Sequence, residues 1–430
     1  MASRKLHPAW IVLGAVTVCL LASSGLRSTF AVYIKPIEAE TGWSRGALSI
    51  AAAISLLLLG ASGPLAGRLA DRWGPRRVVV ASLALLGVGG IAMSFVHSLW
   101  ALYFTAGIIT AIGSGGAALS SGSAVVARWF QTHRGTAIGF AAGGMSAGQL
   151  IVIPLASWIV VGYGWRASAL WLGVGLLLTV LPLAAWLVRN TPEERGVRPY
   201  GAAGHAPTAA QVQAEQHAGR VTVVEAAQTL PFWLLMGTFF VCGYTSVGMI
   251  GTHFIPHALE HNFTVMQASA ALGVMGAMNI VGTVGSGWLC DRVGRRVPLA
   301  TFYFVRGLSL IFLLYVWNVP SLHFWAALFG LNYISTVPPT TTMTANIYGR
   351  FSAGELSGWI YFAHQVGAAL AAALAGWVYE ATGSYGPAFV SAALMAFLAT
   401  VMSLMIREEP INARPLQPAP PRHSTLARAR

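Results

Sequence analysis

Apolar runs of about 20 residues, each closed by a short polar segment, recur along nearly the whole chain. They fall near 9–34, 46–67, 78–97, 99–127, 135–162, 166–188, 230–257, 265–288, 298–318, 320–348, 355–380 and 385–406. Each is long enough, as a helix, to cross a hydrocarbon core of roughly 30 Å. Lipid offers the backbone no hydrogen-bond partner, so each run must pair its own N–H and C=O groups, which predicts twelve transmembrane helices. The longer polar stretch 190–228 carries Pro192, Pro199 and Pro207 amid mixed Glu and Arg. It reads as a linker with at most a short amphipathic piece at Ala209 to His217. The expected organisation is an N-terminal six-helix bundle over 1–189, a cytoplasmic linker over 190–228, a C-terminal six-helix bundle over 229–407 and a disordered cytoplasmic tail over 408–430. That tail is rich in Pro, Arg and Ala, a composition suited to an anionic inner leaflet.

One polar segment occurs twice. Gly67-Arg68-Leu69-Ala70-Asp71-Arg72-Trp73-Gly74-Pro75-Arg76-Arg77 and Gly287-Trp288-Leu289-Cys290-Asp291-Arg292-Val293-Gly294-Arg295-Arg296 share their order of Gly, three residues, Asp-Arg, one residue, Gly and then basic residues. Each copy follows the second apolar run of its set of six, so the chain reads as two related halves.

Composition supports the membrane assignment: 56% of the 430 residues are hydrophobic and 9% are charged, with a mean hydropathy of +0.65, whereas a soluble domain carries roughly 25% charged residues. The net charge of +13 would suit a nucleic-acid partner, but the basic residues gather in alternate loops on the side that holds both termini. The positive-inside rule makes that side cytoplasmic. Cys19, Cys242 and Cys290 are scattered and apolar in context, offering neither a disulfide framework nor a metal spacing. Paired carboxylates, a Ser/His/Asp arrangement and a phosphate loop are also missing, so neither an enzyme nor a metal or cofactor protein is expected.

Two six-helix halves, a long middle loop and the doubled Gly-x-x-x-Asp-Arg-x-Gly segment resemble the major facilitator superfamily. Thr41-Gly42-Trp43-Ser44-Arg45, Trp129-Phe130 leading to Arg134-Gly135, His253-Phe254-Ile255-Pro256 and His364-Gln365-x-Gly367 look like its bacterial monocarboxylate and oxalate:formate branch. The resemblance implies an all-α fold of two pseudo-symmetric bundles. It also implies an inner gate built on Asp71, Arg72, Asp291 and Arg292, against the plainer reading that these residues only set topology. Monocarboxylate transporters usually carry an Asp and, four residues later, an Arg in the eighth span. Those positions here are Asn279 and Thr283, so the family's usual anion anchor is missing.

Ionisable groups at bilayer depth are costly and informative. Arg27, about seven residues or roughly 10 Å below the outer end of the predicted first helix, is the expected carboxylate anchor; snorkelling outward with Lys35 is the alternative. Arg306 is expected to pair structurally or to snorkel toward the cytoplasm. Gln149, Asn279, Thr283, Asn332, Tyr333, Thr336, Tyr361, His364 and Gln365 lie on helices that the resemblance places around the cavity, and they complete the expected binding set. Close helix packing is expected at Gly139, Gly143, Gly144, Gly148, Gly273, Gly276, Gly282, Gly367 and Gly376. His364, an imidazole able to titrate near neutral pH, is the expected proton carrier, with His253 as an alternative. The expectation is a monomeric secondary transporter of the bacterial inner membrane that imports a small organic anion with protons. An antiporter or exporter of organic anions or drugs, or a transporter-like sensor, is the alternative.

Overall fold

The computed structural model describes residues 7–202 and 220–411 and is helical almost throughout. Helix α1 spans Pro8–Thr41, with a break at Thr29. It is followed by α2 (Arg45–Trp73), α3 (Pro75–Ser94) and α4 (Leu99–Trp129). Helices α5 and α6 share the stretch Arg134–Leu187, which kinks at Gly164 (φ 85°). The second half holds α7 (Leu230–Glu260), α8 (Val265–Val293), α9 (Arg296–Leu313), α10 in two pieces (Val319–Tyr333 and Val337–Tyr348), α11 (Ala353–Thr382) and α12 (Gly386–Met405).

The expected order of twelve spans is present, with three corrections. The doubled segment is not a loop: it forms the last turns of α2 and α8, and the chain turns at Gly74 (φ 90°) and Gly294 (φ 86°), a region open to glycine. Second, α1 runs seven residues beyond the predicted Ile34, so Arg27 lies some fourteen residues, roughly 21 Å, from its outer end. Snorkelling outward is correspondingly harder.

The third correction concerns α10, expected as one helix over 320–348. Pro338 and Pro339 have no N–H to give and their rings crowd the carbonyls four residues earlier, so the helix breaks over residues 334–336. Backbone freed at membrane depth must find side-chain partners. Here Asn279 Oδ1 accepts from Ile334 N (3.1 Å), Ser286 Oγ donates to the Ser335 carbonyl, and Arg306 donates to the carbonyls of Asn332 and Tyr333.

Bare backbone forms the seam between the halves. A Cβ on Gly67 would strike the carbonyl of Gly354, and one on Gly358 that of Gly63, where α2 meets α11; Gly135 and Gly287 meet likewise where α5 meets α8. Gly139, Gly144, Gly148, Gly282 and Gly367 also sit against neighbouring backbone, and Gly143 against the Val284 side chain. Gly273, Gly276 and Gly376, expected in close packing, meet nothing within 4 Å.

The described ends of the linker are docked rather than loose. Tyr200 exchanges backbone hydrogen bonds with Trp129, Gln131 and Thr132 and sits among the rings of His7, Trp10, Phe130 and His133. Val221 N donates to Ser352 Oγ (2.8 Å), and Thr222 with Glu225 forms a capping box for the short helix Val223–Ala227. The piece from Ala209 to His217, and the tail beyond residue 411, lie outside the described residues; within the tail, Glu408 pairs with Arg295 at 3.5 Å.

Gly358→Val should overpack the α2/α11 seam at a cost of about 1–3 kcal/mol, lowering the melting temperature in detergent. Gly376→Val, with nothing to strike, should leave the melt nearly unchanged. Equal losses in the two would show that the seam is not tightly packed.

Candidate functional site

Two carboxylates clasp the halves together at the end of the bundle where α2 and α8 finish. Asp71, fully buried near the end of α2, accepts from the backbone N–H groups of Gly354 (3.3 Å) and Glu355 (2.7 Å), the first turn of α11. Asp291, near the end of α8, accepts from the N–H groups of Gly135 (2.8 Å) and Thr136 (2.7 Å), the first turn of α5, and from the Thr136 hydroxyl (2.7 Å). Each carboxylate thus sits on the positive end of a helix in the opposite half. The spacing Gly-x-x-x-Asp explains the pairing. Glycine and aspartate share one helix face a turn apart, so the glycine admits the partner helix and the aspartate reaches its end.

The arginines following these aspartates do not bridge the halves. Arg72 is exposed, and Arg292 stacks over Trp288 of its own helix at 4.3 Å. The cation beside Asp71 is Arg128 at the end of α4, 2% exposed, 3.7 Å from the carboxylate and donating to the Ala70 and Asp71 carbonyls. Arg134 crosses to α10 through Asn346 (2.8 Å). Arg68 and Arg220 both reach Glu355 (3.8 and 3.2 Å). Arg128 had only a topological reading in the sequence, because its partner lies 57 residues earlier in the chain.

Nearer the middle of the molecule, α11 gathers a polar cluster. The His364 ring lies parallel to that of Tyr361 (centroids 5.5 Å, 7°) and beside Phe239 (5.1 Å), with Nδ1 3.0 Å from Gln365 Oε1. Cys242 of α7 contacts His364 and Arg306, and its Sγ is 3.1 Å from Thr336 Oγ1. In the first half, Arg27 borders a pocket of about 30 Å³ with Tyr33, Met93 and Thr110. Among the described residues Arg27 has no hydrogen bond or ion pair; Glu40, the acid near the outer end of α1, is taken by Arg166 (2.8 Å). An apolar crevice of about 430 Å³ between α2, α7 and α11 reaches Gln365.

The remaining expected residues are spent on structure in this conformation. Asn279 donates to Ser146 of α5 (2.8 Å) across the seam while its carbonyl oxygen holds the α10 break, and the buried Thr283 hydroxyl donates to the Asn279 carbonyl (2.7 Å). Asn332 Nδ2 donates to Leu328 O (2.8 Å). Gln149 is exposed and donates to Ser24 Oγ (3.3 Å). His253 Nε2 bonds the Ala372 carbonyl (2.9 Å), eight residues or roughly 12 Å along α11 from His364. Arg306 pairs structurally, as expected, but it does not snorkel: it is fully buried and caps the break in α10. The structure therefore brings together Thr336, Tyr361, His364 and Gln365, while Arg27 borders its own small pocket in the first half and Tyr333 packs against Phe329. It adds Phe239 and Cys242, residues that sequence reading had placed only in an apolar run.

The family model described as Major Facilitator Superfamily matches residues 16–372 and 286–429. An uncharacterised MFS-type transporter, YcxA of Bacillus subtilis, is 25% identical over 87% of this chain and 90% of its own. Monocarboxylate transporter 12-B of Danio rerio is 24% identical over 94% of this chain and 89% of its own. Among solved structures, the proton:xylose symporter XylE bound to 6-bromo-6-deoxy-D-glucose superposes with a TM-score of 0.72 at 15% identity, covering 93% of this chain and 96% of that one.

Arg306, fully buried, and Arg27, half-buried, predict opposite stability effects. Arg306→Met orphans the α10 carbonyls and should cost about 1–3 kcal/mol for each, seen as a large drop in melting temperature. Arg27→Gln should leave the melt close to that of the parent protein.

Proposed function

We propose, from the premise that this chain belongs to the Major Facilitator Superfamily of membrane transporters, that it takes up a small organic carboxylate together with protons. The observation that carries this reading is Arg27. It is a guanidinium at membrane depth with no carboxylate or carbonyl committed to it, whereas Arg128 and Arg306 are both spent on protein groups. An uncommitted cation in a low-dielectric site favours an anionic ligand, and guanidinium grips a carboxylate with two parallel hydrogen bonds. The absence of the usual eighth-span arginine moves that task to the first helix. Tyr361, Gln365 and Thr336 then supply hydrogen bonds from the second half, so the substrate lies between two bodies that rock about it, the arrangement characteristic of this superfamily.

His364 is the proton carrier in this reading. Its neighbours are Tyr361, Gln365, Phe239 and Cys242, none of them a carboxylate. The clasps on Asp71 and Asp291 act as the inner gate, and the conformation described is closed at the cytoplasmic face. The location is the bacterial inner membrane with both termini cytoplasmic, and the protein works as a monomer.

Arg27→Gln should abolish uptake by membrane vesicles while the protein inserts at parental levels. Surviving uptake would remove the case for an anionic substrate. Collapse of the proton gradient should abolish accumulation, and His364→Gln should leave downhill exchange intact while losing accumulation. Accumulation that persists without the gradient would favour antiport.

A further inference from the structure

Hydroxyl groups lie between the central cluster and the cytoplasmic clasp in an unusual state. Ser120 of α4 and Ser357 of α11 come from opposite halves and are 2% and 5% exposed, and neither side-chain oxygen has a hydrogen-bond partner among the described residues. Both line one enclosed cavity with Thr340, Thr341 and Thr344 of α10 and with Tyr361. Those threonines are different, since each donates to its own helix at the carbonyl three or four residues back. A buried serine in a helix ordinarily does the same, and a buried polar group left unpaired is costly. Ser120 follows the non-helical stretch of α4 at 117–118, which removes the regular carbonyl it would otherwise reach.

The cavity's place in the fold is specific. Ser357 is one turn toward the cytoplasm from Tyr361 and one turn inward of Gly354 and Glu355, whose N–H groups hold Asp71. Tyr361 belongs to both the central cluster and the cavity wall. In the closed conformation the volume is about 10 Å³, room for a single water of the kind that satisfies buried hydroxyls. When the clasp opens, the walls contributed by the two halves separate and the same hydroxyls face the exit route.

We infer that Ser120 and Ser357 form a second, inner position for the transported oxyanion, which accepts their hydroxyl hydrogens after leaving Arg27 on the way to the cytoplasm. This rests on the reading of the protein as an anion carrier gated by the Asp71 and Asp291 clasps. Neutral donors suit the step because a site on an exit route must bind an ion and also release it, and hydroxyls hold a carboxylate more weakly than a guanidinium does. With no carboxylate among the lining residues, the two hydroxyls can turn their hydrogens toward an anion.

The test labels Ser357→Cys and, as a second reporter, Ser120→Cys from the cytoplasmic side with the anionic 2-sulfonatoethyl methanethiosulfonate and its cationic trimethylammonium counterpart. Cys19, Cys242 and Cys290 are buried in the closed form, so the blank is the protein with the same aspartate substitutions and no reporter cysteine. With the clasp intact neither reporter should react. With Asp71→Asn and Asp291→Asn, or with Asp71→Asn alone if the pair does not fold, both should react. The anion-to-cation rate ratio should be about tenfold above that of the same reagents on free 2-mercaptoethanol, a factor equivalent to about 1.4 kcal/mol. A cysteine at Ser146 monitors opening of the other seam. If Ser146→Cys becomes reactive while both reporters stay silent, or if they react without preference for the anion, the inner position is overturned and the clasp as gate stands. Silence at all three sites in folded protein overturns the gate reading as well.

Discussion

A carboxylate placed on the N-terminus of a helix from the other half is the interaction that the closed form depends on. It is made twice, by Asp71 on α11 and by Asp291 on α5. Asp71 must lose its water to do this, which for a buried ion costs several kcal/mol before any compensation. Charge-assisted bonds from backbone amides, roughly twice as strong as neutral ones, offset that cost only while the helix end stays in place. The contact is therefore conditional: a small separation of the halves strips the amides away and leaves Asp71 with Arg128 of its own half as its partner.

Around that contact the protein handles its cations in distinct ways. Arg128 lies with Asp71 and reinforces one clasp from within its own half. Arg306 satisfies the Asn332 and Tyr333 carbonyls at the end of the first piece of α10, where the break leaves the helical ladder, so a positive charge at depth serves as a helix cap. Arg27 has no such duty, and this difference in commitment, rather than the presence of a buried arginine, separates a binding group from a structural one. The two halves are alike in their clasps but not in their polar interiors: Cys242, Thr336, Tyr361 and His364 cluster in the second half.

Much of this was legible along the chain. Twenty-residue apolar runs dictated helices because lipid permits little else, and the repeat of Gly, Asp and Gly gave the two halves and the cytoplasmic side. Even the clasp is encoded locally, since Gly67 and Asp71 share a face and Gly74 turns the chain. Local sequence could not say which helix would meet that face. Asp71 finds its amides more than 280 residues away, and the neighbouring Arg72, the obvious candidate by position, faces solvent. The break in α10 was readable in Pro338-Pro339, whereas its caps, Arg306 and Asn279, arrive from two other helices. The sequence by itself therefore determined the helices, their order and the devices at their ends, because those follow from backbone chemistry in lipid. Only the tertiary structure decided which polar groups are consumed in holding helices together and which, like Arg27, Ser120 and Ser357, have no hydrogen-bond partner among the described residues, because a hydrogen bond is settled by what lies across from it in space.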